Sequence, residues 1–525
     1  MTNLKKQPRG RTAGRLAAIG IALALGILFV MVSIPGCQRT SNVASFSDPA
    51  PETVVADETA ELAEESDIVS VPDSTPETAA VDKTEEPIEE ADVAPSTEPA
   101  AETVAGDELE ELVEEIQAGA FADPELARII RQAVNRPTEE LRESDLLEIT
   151  ELDATGSGIV SLEGIQYCTN LTVLWLYDNK ITDIHPLSKL TNLESLGLGG
   201  NVIVNIGALS GLTNLTGIDL GDNSIIDIGA LSGLTNLTYI AMASNRIVDI
   251  AALSNLEDLR ALDLPANSIA DISALSGLTH LEYLSLGSNL IIDIRAISGL
   301  VNLTMLELTH NRIVDIVALS GLTKLLDLRL SNNQIVDISP LSGLTNLTAL
   351  NLTSNEIVDV NGLSGLINLT SIELSGNGIG DILPLSNLTK LEGLWLSTNS
   401  IIDISPLSGL TDLSLLSLGN NQIVDISALA GLVDLVELDL NENMIVDIRS
   451  LSGLTHLNSL GLTHNQILNL RPLILNRGIS KGDDVALDHN LLNIQPDSPH
   501  MMDIAALQER GVNVSHKEDC ETCGY

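Results

Sequence analysis

The sequence predicts an α/β repeat solenoid: an open arc with a parallel sheet on its concave side and short 3-10 or irregular segments on its convex side. Three observations carry this. Asn recurs at 179, 201, 223, 245, 267, 289, 311, 333, 355, 377, 399, 421, 443 and 465, fourteen times at a spacing of 22, and self-similarity at a fixed period of roughly 20–50 residues marks a chain of stacked units. A Leu stands eight residues before each Asn, from Leu171 to Leu457, and an Ile two residues after, from Ile181 to Ile467, with no gap in either column. Finally, 44% of the 525 residues are apolar, yet only three Phe, two Trp and five Tyr occur, so the core has to be built from Leu, Ile, Val and Ala.

Taken from the N-terminus, residues 1–36 read as an export signal. Lys5, Lys6, Arg9, Arg11 and Arg15 precede an uncharged run of 19 residues from Leu16 to Ile34, followed by Pro35-Gly36-Cys37. That order is similar to the lipobox of bacterial lipoproteins, which implies lipidation at Cys37; an uncleaved signal anchor is the alternative, since the run is long enough to span a bilayer. Either reading places the rest of the chain outside the cytoplasm, anchored to a membrane. Residues 37–119 form an acidic stalk. Within 41–120 there are 24 acidic residues and one basic residue, Lys83, with too little apolar surface to offset the entropy of ordering. The near-copies Glu52–Glu65 and Glu102–Glu115 suggest a spacer extended by self-repulsion.

Residues 149–473 hold about fifteen units close to LTNLTxLxLxxNxIVDIxALSG, the first a degenerate copy beginning at Ile149. In each, a segment such as Leu174-Trp175-Leu176 alternates inward and outward as a strand does. The Asn side chain that follows can satisfy backbone groups leaving the strand. Four residues after the Asn stands an Asp in most units (Asp183, Asp227, Asp249, Asp271), and Pro186, Pro340, Pro384 and Pro406 follow it in some. Asp ahead of Pro suits the start of a short helical turn. This capping role explains the Asp column with fewer assumptions than Ca²⁺ ligation, and no metal or other cofactor is expected.

At these residues the chain resembles the leucine-rich repeat superfamily, specifically the 22-residue class of internalins and related bacterial surface proteins. The resemblance implies the leucine-rich-repeat horseshoe or arc, a helical N-terminal cap over 120–148 and a C-terminal cap over 474–515. The N-terminal cap resides in Phe121-Ala-Asp123-Pro-Glu-Leu126 and an amphipathic helix with Leu126, Ile129, Ile130 and Ala133. The C-terminal cap resides in Asn476-x-Gly478, Gly482-Asp483-x-Val485-x-Leu487-x-x-Asn490-Leu491 and Ile504 to Val512, with Leu491 where Pro is common. Caps matter because an open solenoid end exposes apolar side chains and unpaired strand edges. No C-terminal sorting signal or wall-binding module is recognisable, so anchoring is expected from the N-terminus. The same repeat builds an intracellular phosphatase regulatory subunit, a role against which the leader argues.

The resemblance implies a non-enzymatic, protein-binding scaffold of the bacterial cell envelope or surface. The variable positions of each strand point to solvent on the concave side, and Trp175, Tyr177, Tyr239, Tyr283 and Trp395 fall there. Large aromatic side chains are favoured interface anchors, although aromatic residues also suit strands for their own sake. The same columns carry ten acidic residues, Glu307 and Asp439 among them, against the single Arg329. The expected contact set is therefore Trp175, Tyr177, Tyr239, Tyr283, Glu307, Arg329, Trp395 and Asp439, for a protein ligand, with a glycan as the lower-ranked ligand class. An architectural or self-associating envelope element is the alternative role, favoured by near-uniform repeats, and an intracellular scaffold follows if the leader is not an export signal.

Other classes find little support. With 73 acidic and 26 basic side chains, a formal net charge of -47, the chain repels nucleic acid. His310 and His464, the two concave histidines, stand seven units apart, about 34 Å at ~4.8 Å per strand, too far to share a substrate bond, so no catalytic residue is assigned. Cys168 takes the register of Leu190 and Leu212 and is expected to be a buried small hydrophobe. Cys520 and Cys523, a C-x-x-C in the tail 516–525, suit a disulfide in an exported protein better than zinc, for which His516 supplies only a third ligand.

Overall fold

The computed structural model describes residues 121–137 and 141–517; the leader with Cys37, the acidic stalk and the Cys520–Cys523 pair lie outside the described residues. Seventeen strands form one all-parallel sheet in which each pairs with the next along the chain, from β1 (Glu151–Asp153) and β2 (Val173–Trp175) to β15 (Ser459–Gly461), β16 (Asp484–Ala486) and β17 (Asn513–Ser515). Each strand is three residues long and buries its middle one: Leu174 is fully buried between half-exposed Val173 and Trp175. After each of the first fourteen strands the chain makes one 3-10 turn, such as His185–Lys189 or Gly207–Leu209. The expected solenoid, open at both ends of its sheet, is thus the observed one.

Seven apolar positions per coil fill the interior. In the second coil these are Leu171, Leu174, Leu176, Ile181, Ile184, Leu187 and Leu190, each no more than 2% exposed. Cys168 lies in this column as expected, with its thiol pushed up to about 12 by burial. Because the coils stack in register, like packs on like throughout and the core is one continuous column.

Polar ladders fix the stacking. Asn333 donates from Nδ2 to the carbonyls of Leu330 in its own coil and Leu308 in the preceding coil, both at 3.0 Å, and its Oδ1 accepts Ile313 N–H at 3.0 Å. The same set recurs from Asn179 to Asn465. Asp337 Oδ1 accepts the Ser339 N–H at 2.8 Å, opening the 3-10 turn, and this bond lowers its carboxyl below the usual range. Residues that looked incidental in the repeat also bond between coils. Asn192 donates to Thr169 O at 2.9 Å and Thr216 Oγ1 to Glu194 O at 3.0 Å, a pattern repeated along the solenoid.

One backbone requirement was not visible in the sequence. The residue before each ladder Asn is left-handed, with φ from 49° to 57° at Asp178, Asp222, Ser244, Ala266, Ser288, His310, Asn332, Ser354, Thr398, Asn420, Glu442 and His464. Only Gly200 and Gly376 meet it with the residue that favours it.

Both ends are closed. Helix α1 (Pro124–Ala133) starts at Asp123, whose Oδ1 accepts Glu125 N–H and Leu126 N–H while Oδ2 accepts Val160 N–H at 2.7 Å and Ser161 N–H at 3.3 Å from the first coil. Burial would raise this carboxyl, but the four backbone bonds hold it below its ordinary value. At the other end, buried Asn476 donates to Leu451 O and Leu454 O, and Arg510 donates to Asn476 O and Ile474 O. Helix α2 (Glu143–Leu146) belongs to the first cap, α3 (Arg471–Leu475) and α4 (Pro499–Glu509) to the second, where Ile504 and Leu507 complete the core.

Candidate functional site

The strand alternation sets all eight anticipated contact residues on the concave face, but it gathers only six of them. The group begins at Trp175 and Tyr177, whose rings stack with centroids 5.8 Å apart and planes at 25°. They lie over Gly197 of the next coil, where a Cβ would collide with both. Tyr177 reaches across that glycine toward Asp219, two coils away, and both lie beside Gly199. Tyr239 stands beside Asp219, with Gly217 and Ala261 as its neighbours in register. Asp263 and Tyr283 come next, with Ser285 in register beside Asp263. Glycines and alanines at 197, 199, 217, 221, 241, 243 and 261 form the floor between the rings.

The carboxylates of this strip divide into two kinds. Glu307 sits over Gly287 and accepts Gly287 N–H at 3.0 Å, Thr309 N–H at 2.9 Å and Ser285 Oγ–H at 3.3 Å. Arg329 closes the group and is tied to Asp327 of its own strand at 2.8 Å. Among the described residues Asp219 and Asp263 have no such cation. Asp219 accepts Gly221 N–H at 3.0 Å, and burial pushes both carboxyls above their usual range. Burial, followed by the charge of Asp219, likewise raises the Tyr177 and Tyr239 hydroxyls.

Trp395 and Asp439 stand apart. Trp395 lies three strands beyond Arg329 and folds back over Gly393 of its own strand. Asp439 accepts Asn441 N–H at 3.0 Å and Ser417 Oγ–H at 3.2 Å, bonds that serve its own turn. Sequence reasoning counted Asp219 and Asp263 among the concave acids without singling them out. The signal that distinguishes them is the run of Gly and Ala beside them, which lets rings lie flat and enclose a short carboxylate.

A second feature, interrupted at Ala270 and Gly380, lies on the edge where the chain leaves the sheet. Val204, Ile226, Val248, Ile292, Val314, Val336, Val358, Ile402, Val424 and Val446 form a row, each 43–61% exposed. The IVDI of the repeat carries it, but only the coil geometry shows that its Val points outward. Among the described residues no three His, Cys, Asp or Glu gather to hold a metal, and no helix is long and apolar enough to cross a membrane.

Comparison with known proteins agrees with this architecture. Family models described as leucine rich repeat match residues 257–313, and as leucine rich repeats in two copies match 169–212, 213–255, 301–343, 323–365, 367–409 and 389–431. The structure of an internalin (inlF) from Listeria monocytogenes is 33% identical over 72% of this chain and 97% of that one, with a TM-score of 0.50. A leucine-rich-repeat protein of Leptospira interrogans is 23% identical over 71% and 97%, with a TM-score of 0.58. The ectodomain of the Arabidopsis thaliana receptor kinase GASSHO1/SCHENGEN3, solved in complex with Casparian strip integrity factor 2, is 22% identical over 68% and 51%, with a TM-score of 0.53. A search of curated proteins gives no match.

Proposed function

We propose that this chain, which belongs to the internalin-type leucine-rich repeat family, is a non-enzymatic scaffold held at the bacterial cell envelope by Cys37, engaging a protein partner through its concave sheet. The observation that carries this reading is the strip from Trp175 to Arg329, where four rings, two of them stacked, stand with Glu307 and Arg329 on the concave face outside the buried core. Rigid aromatic side chains bury a large area at low entropic cost. A plant receptor ectodomain of the same fold holds a protein factor, which supports the choice of ligand class over a glycan.

Two experiments test it. Alanine at Trp175, Tyr177, Tyr239 and Tyr283 together should abolish binding of a partner identified by cross-linking in cells; unchanged affinity sinks the concave reading. Intact mass and membrane partition, beside Cys37→Ser, should show acyl chains and membrane association for the parent alone. An unmodified, cytoplasmic protein would favour an intracellular scaffold instead.

The exposed row from Val204 to Val446 favours a second reading, self-association of the solenoid, because large apolar side chains left exposed along one edge suit an interface. Light scattering over a concentration series separates the two. A mass that rises with concentration, and returns to that of a monomer in Val248→Lys/Val336→Lys/Val424→Lys, supports self-association.

A further inference from the structure

Asp219 and Asp263 are placed oddly for surface carboxylates. Each sits between tyrosine rings, Asp219 between Tyr177 and Tyr239 and Asp263 between Tyr239 and Tyr283, above a floor of Gly and Ala. The Gly221 N–H donates to Asp219 at 3.0 Å, and the polar groups nearest the two carboxylates, the Tyr177 and Ser285 hydroxyls, are neutral. Neutral donors satisfy lone pairs without cancelling charge, and a charge withdrawn from water without a counter-charge is unfavourable. The neighbouring Asp327, by contrast, is paired with Arg329. Ring faces beside each carboxylate carry negative potential of their own and attract cations.

We propose that this strip is a receptor for a cationic segment of the partner, with lysine or arginine side chains seated on Asp219 and Asp263 between the flanking tyrosine rings. The inference rests on the concave sheet being the partner face and adds the chemistry that face selects. The small floor residues leave room for the methylene stems of long basic side chains to lie along the sheet. Trp175 and Tyr177 then bound one end of the segment, and Arg329 the other, where its positive charge disfavours a further basic residue. The segment is therefore expected to be short and basic at its centre.

The test uses the full-length protein in a Trp395→Phe background, so that Trp175 is the sole tryptophan reporter. Hexaarginine and hexalysine are titrated at physiological salt into the parent, into Asp219→Asn/Asp263→Asn, and into Glu356→Gln/Glu392→Gln. The last pair removes the same charge from exposed positions outside the strip. A loss of about tenfold is expected in the strip variant, with less than about twofold in the control. Equal loss in both variants means that only the general acidity of the chain is being read, and overturns the proposal, as does no loss in the strip variant. Unchanged circular dichroism and thermal midpoints no lower than the parent's confirm that each variant is folded. If the peptides ignore Asp219 and Asp263 while partner binding still depends on Trp175 and Tyr177, the cationic chemistry alone is overturned. If that dependence is also missing, the concave face itself is wrong.

Discussion

The concave sheet has two halves built on the same interior. From Trp175 to Arg329 it presents four rings over a Gly and Ala floor and a terminal arginine; from Asn351 to Gly461 it presents Ser, Gly, Asn and the acids Glu373, Glu437 and Asp439 with a single ring, Trp395. Behind both, the Leu and Ile columns are buried alike and the Asn ladder makes the same bonds. Since folding demands are equal, the difference in exposed residues cannot come from the scaffold. On the function proposed above it serves recognition, and that separation can be challenged by substitutions paired across the two halves.

The largest effects should be those that ignore the distinction. Asn245→Ala and Asn421→Ala each strip the preceding coil of a buried acceptor for Ile225 N–H or Ile401 N–H and leave carbonyls unbonded. Each should destabilise by about 3 kcal/mol, measured by denaturant unfolding, and by similar amounts. A large inequality would show that the halves are not mechanically equivalent. Next come substitutions that should separate the halves. Trp175→Ala/Tyr177→Ala is expected to cost about 2 kcal/mol or more of partner affinity and Trp395→Ala less than about 1 kcal/mol, read by calorimetry; a larger loss at Trp395 would move the site.

Smaller again is the left-handed column. Thr398→Gly in the second half should stabilise by about 0.5–1 kcal/mol, because a β-branched residue is strained at positive φ, and Ala266→Gly in the first half by less. The smallest effect concerns charge. Burial raises the folded-state carboxyls of Asp219 and Asp439 above their unfolded value. An acid so raised is a liability when ionised and neutral below its folded value. Asp219→Asn and Asp439→Asn should therefore raise the thermal midpoint at neutral pH, with the gain fading as pH falls through the raised range. A gain that persisted in acid would show that the amide acts through packing.

Most of the architecture was legible because it is written at one interval. The Leu, Ile and Asn columns fix strand, core and turn, and the Asp column was correctly tied to the start of the convex turn. The Asn and Thr of LTNLT were not read as ladder groups, since side-chain bonds to a coil 22 or 23 residues earlier are visible only once coils are stacked. The left-handed position hid behind its variety, because twelve of its occupants between 178 and 464 are not glycine. For the site, alternation sufficed to place Trp175, Tyr177, Tyr239 and Tyr283 on the exposed side. It could not say that Glu307 and Asp439 spend their oxygens on neighbouring N–H groups, or that Trp395 would fold onto its own strand. Such facts depend on rotamers and on which neighbours are glycine.

The ladders have one more consequence. The side-chain bonds that join coils span fixed intervals of 20, 22, 23 or 25 residues, whichever coil they start from. A whole coil could be excised or copied and every remaining bond would find an equivalent partner, whereas a change of one residue would put the lattice out of phase. Length is thus a free variable of this molecule, adjustable in steps of one strand. It is halted where Asn490 reaches back by 23 and 28 residues, the first place at which the next copy would no longer fit.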